Sequence, residues 1–143
     1  MNYLKIILIA SFGVILLCTC RLAGARERIV ARSDPFEGKW AIAIDPDDDA
    51  RKAGERNTDD MLTFTNGAVN TEWGKKHGYP APQYEEDIRR FGPAKFTAES
   101  KNKDGDKAKW TGTVTGGEIS GDIVVTKKDG SEMRFSYKGE LKH

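Results

Sequence analysis

The sequence predicts an all-β domain, an antiparallel up-and-down barrel of eight strands. Three observations predict this fold: apolar and polar residues alternate over much of residues 37–141, glycine-containing turns separate the alternating segments, and eight such segments can be counted. A period of two indicates strands, because successive side chains on a strand point to opposite faces. Eight antiparallel strands close into a barrel whose interior is filled by side chains or holds one small ligand. A two-sheet β-sandwich is the alternative fold.

The first 25 residues predict a secretory signal peptide. A single basic residue, Lys5, precedes an apolar run at residues 6–20, and an A-x-A cleavage site ends at Ala25. The run is shorter than the ~20 residues that span a bilayer, so no transmembrane span is expected in the mature chain. The sequence therefore predicts a secreted or periplasmic protein that is cleaved near Ala25. Lipid attachment through Cys18 or Cys20 is the alternative.

Cleavage at this site changes the charge and the cysteine content of the chain. The full sequence has 23 basic and 22 acidic residues, and the removed segment carries two of the basic residues, Lys5 and Arg21, and both cysteines. The mature chain then has 21 basic and 22 acidic residues, a balance that excludes nucleic acid as a main partner. With no disulfide, the core alone must stabilise the domain. We interpret residues 26–35 as a charged N-terminal arm and residues 36–143 as the barrel domain.

Strand one is predicted at residues 37–45 and leads into a connection rich in acids. Residues 47–49 are aspartates, which predict the cap of a short helix at residues 50–55. The aspartates do not match an EF-hand loop, because the positions that need glycine and glutamate hold Ala50 and Arg56. The connection is therefore predicted to be a solvated, helix-capping loop rather than a calcium site.

Asn66-Gly67 predicts a β-hairpin, because this pair is preferred in two-residue type I′ turns. Its strands are predicted at residues 61–65 and 68–73. In this register Leu62 lies opposite Thr71, and the apolar residues of the two strands share one face.

The middle of the chain is less regular. Residues 74–82 contain two glycines and two prolines, which predict a loop. Residues 84–90 alternate as a short polar strand would, and one turn of helix is the alternative. We favour the strand because the sheet otherwise lacks a member there.

Turn chemistry predicts the register of the last four strands. Three-residue loops at 103–105 and 128–130, and a two-residue turn at 116–117, keep apolar residues opposite apolar residues. One lateral row then crosses four strands: Phe96, Gly112, Gly121 and Tyr137. The two glycines leave a gap in the wall. Either the two aromatic rings cover this gap, or it enlarges an internal cavity, or the glycines permit sharp coiling of the sheet.

Gly38-Lys39-Trp40, at the start of an up-and-down β pattern, resembles the G-x-W signature of the lipocalin-like (calycin) barrels. The resemblance implies that Trp40 packs across the base of the barrel near a basic side chain of the last strand, a position that Lys138 or Lys142 would fill. The sequence is also similar in length and strand order to the bacterial metalloprotease inhibitors. Those barrels carry a disulfide that the mature chain cannot form.

The candidate ligand-binding residues are six aromatic residues at or near positions whose side chains are predicted to point into the barrel. They would line a pocket for a small apolar molecule, or they would simply fill a small barrel. The six are Trp40, Phe64, Trp73, Trp110, Phe135 and Tyr137.

The sequence predicts a binding module rather than an enzyme. The mature chain has two histidines, His77 in a loop and His143 at the terminus, and contains no G-x-S-x-G or H-E-x-x-H motif. No catalytic residue, cofactor or metal site is predicted. The first hypothesis is an exported module that holds a small apolar molecule in the barrel. The alternative is a protein-interaction domain, such as an inhibitor of an exported protease, that uses residues 45–60 or the arm. An open cavity between the aromatic residues favours the ligand, and a filled interior favours surface recognition.

Overall fold

The computed structural model describes residues 34–143, which form one eight-stranded antiparallel sheet and two short helices. The sheet order is β3-β2-β1-β8-β7-β6-β5-β4, so every strand lies beside its neighbours in the chain, and the first and last strands also pair. In chain order the elements are β1 (Gly38–Pro46), α1 (Asp48–Lys52), β2 (Thr58–Thr65), β3 (Ala68–Asn70), α2 (Glu72–Lys76), β4 (Tyr84–Asp87), β5 (Ala94–Lys101), β6 (Lys107–Thr115), β7 (Glu118–Thr126) and β8 (Glu132–Lys142).

The sheet curls into a nearly closed barrel, as predicted, rather than a sandwich. β1 and β8 pair over eight residues of each strand. The two ends of the sheet, β3 and β4, meet at a single bridge between Ala68 and Gln83. Beside this bridge the N–H of Tyr84 donates to the carbonyl of Gly67 at 3.0 Å. We call this junction of β3 and β4 the seam.

The predicted registers of the last four strands are confirmed. Phe96 lies opposite Gly112, Gly112 opposite Gly121, and Gly121 opposite Tyr137. Gly105 has a φ of +91°, the left-handed conformation that the three-residue loop before β6 requires. Turn chemistry and hydrophobic pattern therefore determined the pairing together.

The gap over the glycine pair is covered by aromatic side chains. A Cβ atom added to Gly112 would lie 2.2 Å from Phe96 Cε1 and 2.4 Å from the hydroxyl oxygen of Tyr137. The Tyr137 hydroxyl donates to the carbonyl of Thr111 at 2.8 Å, so its polar end is satisfied inside the barrel. The covering interpretation is confirmed.

The predicted strand at 68–73 is wrong beyond Asn70. There the chain turns into α2, with Thr71 as the N-cap, whose Oγ1 accepts from the N–H of Gly74 at 2.8 Å. Leu62 therefore has no partner at Thr71, and residues 74–76 belong to a helix rather than to a loop. The physical reason is a side chain from another strand, because Asp60 accepts from the first N–H groups of α2.

Four other elements differ in their bounds. The strand predicted at 61–65 begins three residues earlier, so that β2 runs over Thr58–Thr65. The capping aspartate is Asp47, which accepts from the N–H of Ala50 at 2.8 Å, but α1 ends at Lys52 instead of residue 55. The predicted strand at 84–90 is confirmed over its first four residues only. β1 runs one residue further than predicted, to Pro46. Neither helix of residues 34–143 is long and apolar enough to cross a membrane.

The predicted signal peptide and lipid-attachment cysteines lie outside the described residues. Of the predicted arm, only Asp34 and Pro35 are described. They begin a turn in which the N–H of Glu37 donates to the carbonyl of Asp34 at 3.2 Å.

Replacing Gly121 by alanine is expected to destabilise the barrel by about 1–3 kcal/mol, because the new Cβ must displace neighbours in a packed wall. That Cβ would lie 1.9 Å from the carbonyl oxygen of Thr111, a backbone atom that cannot move aside alone. Gly117→Ala is the matched control, since nothing lies within 4 Å of the added Cβ and the residue has no positive φ. Urea denaturation followed by tryptophan fluorescence measures both changes. Equal stability of the two variants would contradict the packing described.

Candidate functional site

All six candidate aromatic residues lie in the core, at most 5% exposed. Their burial agrees with the prediction that these side chains point into the barrel. Five lie on strands, whereas Trp73 reaches the core from α2 rather than from a strand. They fall into two groups at opposite ends of the barrel.

α2 closes the end at which β1 finishes. Trp73 packs edge-on against Trp110 and Phe135, with ring centroids 5.5 and 5.1 Å apart. Tyr137 continues the group, 6.0 Å from Trp110. Edge-to-face contacts of this kind stabilise aromatic clusters beyond the area they bury. Tyr79, which lies parallel to Trp73 at 6.0 Å, was not anticipated from the sequence.

Phe36 closes the opposite end, just before β1 begins. Its ring lies 5.4 Å from those of Phe64 and Phe96. The carbonyl of Phe36 accepts from the indole N–H of Trp40 at 2.9 Å, so the buried polar atom of Trp40 is satisfied. Phe36 is fully buried, yet no alternation marked it, because it lies in a turn rather than in a strand.

The side chains leave little space within the barrel. A cavity between Trp110 and the segment at residues 69–82 has a volume of about 20 Å³. That is room for about one water molecule, whereas ligand pockets are typically about 300–1,000 Å³. The three clefts of ligand size described below lie open to the outside.

One cleft, the outer cleft, crosses the outward faces of β2, β1, β8, β7 and β6 and measures about 820 Å³. Its floor is made of small side chains and its rim is charged. Lys138 and Lys142 lie on this face, whereas Trp40 points inward. The basic neighbour implied for Trp40 by the family resemblance is therefore not found at either position. The outer cleft is defined by Ala43, Glu118, Ser120, Lys138, Glu140 and Lys142.

A second cleft, of about 480 Å³, lies beside α2 and contains His77. The Nδ1 atom of His77 lies 2.8 Å from the carbonyl oxygen of Trp73, and its Nε2 atom lies 2.9 Å from a carboxylate oxygen of Glu55. Both ring nitrogens thus face acceptors, so in this conformation neither is free to take a proton from a substrate. The sequence did not indicate this pair, because 22 residues separate its members.

A third cleft, the seam groove, has a volume of about 490 Å³ and runs beside the seam. Tyr84 donates its hydroxyl proton to the carboxylate of Asp34, which also accepts from the N–H of Phe36 at 2.8 Å. Asp34 therefore connects β4 to the turn that carries the Phe36 ring. The seam groove is defined by Asp34, Glu37, Lys39, Phe64, Gly67 and Tyr84.

Two aspartates at the end of β1 and in α1 form ion pairs with their own neighbours. Asp45 pairs with Arg51, and Asp49 pairs with Lys52 at 3.0 Å. Within residues 34–143 no three histidine, aspartate or glutamate side chains are grouped as a metal site would require.

Comparison with known proteins finds no match for this chain among protein families, curated proteins or solved structures. Its possible functions are therefore argued from its own residues.

Asp60→Ala is expected to destabilise the protein by about 1–3 kcal/mol, because N–H groups of α2 lose their acceptor. The carboxylate of Asp60 accepts from the N–H groups of Glu72 and Trp73 at 3.1 and 2.8 Å. Near-ultraviolet circular dichroism during urea denaturation reports both the stability and the environment of Trp73. Asp59→Ala, an exposed neighbour on β2, is the matched control. A loss of stability no greater than in that control would show that Asp60 does not hold α2.

The buried tyrosines are expected to resist ionisation while the barrel is folded. Burial raises the pKa of Tyr79 to about 12, and it raises the pKa of Tyr137 and Tyr84 as well. Because the folded state favours the neutral phenol, stability from these groups is present below the unfolded pKa of 10.0 and is lost as the pH rises above it. Ultraviolet absorbance of tyrosinate measures this in native and urea-unfolded mature protein. A tyrosine of the native protein that ionises near the pH at which the tyrosines of the unfolded protein ionise would contradict the burial.

Proposed function

We propose that this protein is an exported, non-enzymatic binding module that recognises a partner protein through its outer surface. The observation that carries the proposal is the filled interior. Phe36 and Trp73 close the two ends, the six candidate aromatic residues are at most 5% exposed, and the cavity beside Trp110 measures only about 20 Å³. Clefts large enough for recognition open on the outside, where polar and charged side chains line them.

The state of His77 supports a non-enzymatic role. The carbonyl of Trp73 and the carboxylate of Glu55 face its ring nitrogens, and its ring stacks on Trp73 at 4.3 Å. The pair ties the connection after α1 to the end of α2. This is what a structural contact requires, whereas a general base needs a nitrogen directed at a substrate.

A relation to the lipocalin-like barrels is part of the proposal. Gly38-Lys39-Trp40 and the up-and-down strand order support it, as does the inward position of Trp40. Export is proposed on the strength of the signal-peptide pattern in residues 1–25. An exported protease remains one class of partner, by analogy with the metalloprotease inhibitors.

An apolar ligand in the barrel is the competing function. A ligand of ordinary size would have to displace the ring of Phe36 or that of Trp73, both of which pack against aromatic neighbours. Loss of such a buried ring costs about 3–5 kcal/mol in other cores. The ligand would need to replace those contacts before it gained any affinity.

Native mass spectrometry of the mature protein, purified from its own host, distinguishes the two functions. The proposal expects no stoichiometric small molecule and no saturable tryptophan response to fatty acids or retinoid-like compounds. It also expects cross-linking in the exported fraction to capture a protein through residues of the outer clefts. A co-purified apolar molecule that is released when Trp73→Ala is introduced would contradict it.

A further inference from the structure

Along the edge of β4 at the seam, backbone hydrogen-bonding groups have no partner among the described residues. The N–H of Tyr84 points away from β5, because it donates to Gly67 on the other side at 3.0 Å. Donors alternate in direction along a strand, so the N–H and C=O of Glu86 point to that same side. There, among residues 34–143, β4 has no neighbour beyond the bridge at Gln83, because the β2–β3 hairpin turns back at Asn66. The edge therefore projects past the hairpin as an unpaired strand.

Carboxyl groups surround this edge. Asp34 and Glu37 line the seam groove together with one basic residue, Lys39, and Glu86 lies two residues after Tyr84 on the strand. Burial raises the pKa of Glu86, and the neighbouring carboxylate of Asp34 raises it further. Within the described range of the chain, none of these three acids forms an ion pair with a basic side chain. Two carboxyl groups held close together without a counter-ion favour the approach of a cation.

We propose that the seam groove is the docking site for an extended, basic segment of a partner protein, which adds to the edge of β4 as a further strand. The inference rests on the proposed function and names its surface and the chemistry of its partner. Backbone bonds to Glu86 would supply affinity, and arginine or lysine at alternate positions would face the carboxyl groups. The ring of Tyr84, which lines the groove and is partly exposed, would contact the aliphatic parts of these side chains.

The outer cleft is a weaker candidate for such a segment. Three of its five strands, β1, β8 and β7, are paired on both sides where they cross it. At Asp59 and Asp60 β2 pairs with β1 alone, but there the carboxylate of Asp60 already accepts from the N–H groups of α2. Its charges are also mixed, since Lys138 and Lys142 lie among Glu118 and Glu140. Basic and acidic side chains are thus interspersed in the outer cleft, whereas Lys39 is the one basic residue among those that line the seam groove.

The test uses the isotope-labelled mature chain and a short capped peptide of alternating arginine and valine, followed by two-dimensional amide NMR. The expected result is a saturable shift of the amides of Glu86 and Gly67 that weakens as salt is added. A peptide of alternating glutamate and valine should give no such shift. Shifts confined to the outer cleft, for example at Ser120 and Lys138, would overturn this site while leaving the proposed function intact.

Two substitutions at one position separate charge from backbone pairing. Glu86→Gln keeps the N–H and is expected to weaken binding about two- to fivefold, the range of an exposed ion pair. Glu86→Pro removes an N–H that faces outward and is expected to abolish the shift at Gly67, since an edge strand tolerates proline on its open side. Glu140→Gln, in the outer cleft, is the control and should bind as the unaltered chain does. Unchanged binding by a folded Glu86→Pro variant would overturn strand addition.

Two other occupants are distinguished by hydrogen exchange without peptide. A Glu86 amide that is already protected, and that loses protection when Arg28→Glu and Arg32→Glu are introduced, would show that the chain's own arm takes the place of a partner. Protection that disappears on dilution would indicate a second copy of the chain. The proposal predicts a Glu86 amide that exchanges freely until the peptide is added.

Discussion

The barrel depends on the packing of two aromatic rings over a pair of glycines. Gly112 and Gly121 lie opposite each other in adjacent strands, and Phe96 and Tyr137 occupy the space that their side chains would fill. The hydroxyl of Tyr137 is satisfied by the carbonyl of Thr111. A buried hydroxyl without a partner would cost about 1–3 kcal/mol. The hydrogen bond from Tyr137 to Thr111 therefore allows a large ring with a polar hydroxyl to be buried in the narrow interior.

The rings that cover the two glycines fill the middle of the barrel, and other residues close its two ends. A turn carries Phe36 into one end, and α2 carries Trp73 into the other. Each closing element is held by a carboxylate that accepts backbone N–H groups, Asp34 beside Phe36 and Asp60 beside Trp73. The interior is thus a core rather than a pocket, and function is left to the outside of the barrel and to the one seam where the sheet does not close.

Much of this fold could be predicted, because short stretches of sequence determine its turns and the pairing of its strands. Asn66-Gly67 and the glycine at 105 require particular turns, and each turn allows only one register that keeps apolar residues together. α2 could not be predicted in that way, since apolar alternation continues through Trp73 and the acceptor for the helix comes from Asp60 on another strand. A threonine followed by an acid, Thr71-Glu72, was the available capping signal.

The candidate site was less predictable than the fold. The alternation of apolar and polar residues predicted that the six aromatic residues point into the core. Whether they enclose a cavity depends on Phe36 and Tyr79, which lie outside the strands. Likewise, the unpaired edge of β4 follows from where the β2–β3 hairpin ends, a property of the assembled sheet. Pattern alone predicts which face a residue occupies; the space beside that residue depends on elements distant in sequence.

Whether the interior is filled can be measured directly by diffraction from crystals of the mature protein equilibrated under xenon, which occupies empty apolar cavities. The account predicts no xenon inside the barrel, because the aromatic rings at the two ends pack against rings on β2, β4, β5, β6 and β8. Xenon bound among Trp40, Phe64 and Trp110 would contradict it and would return the barrel interior to consideration as the binding site.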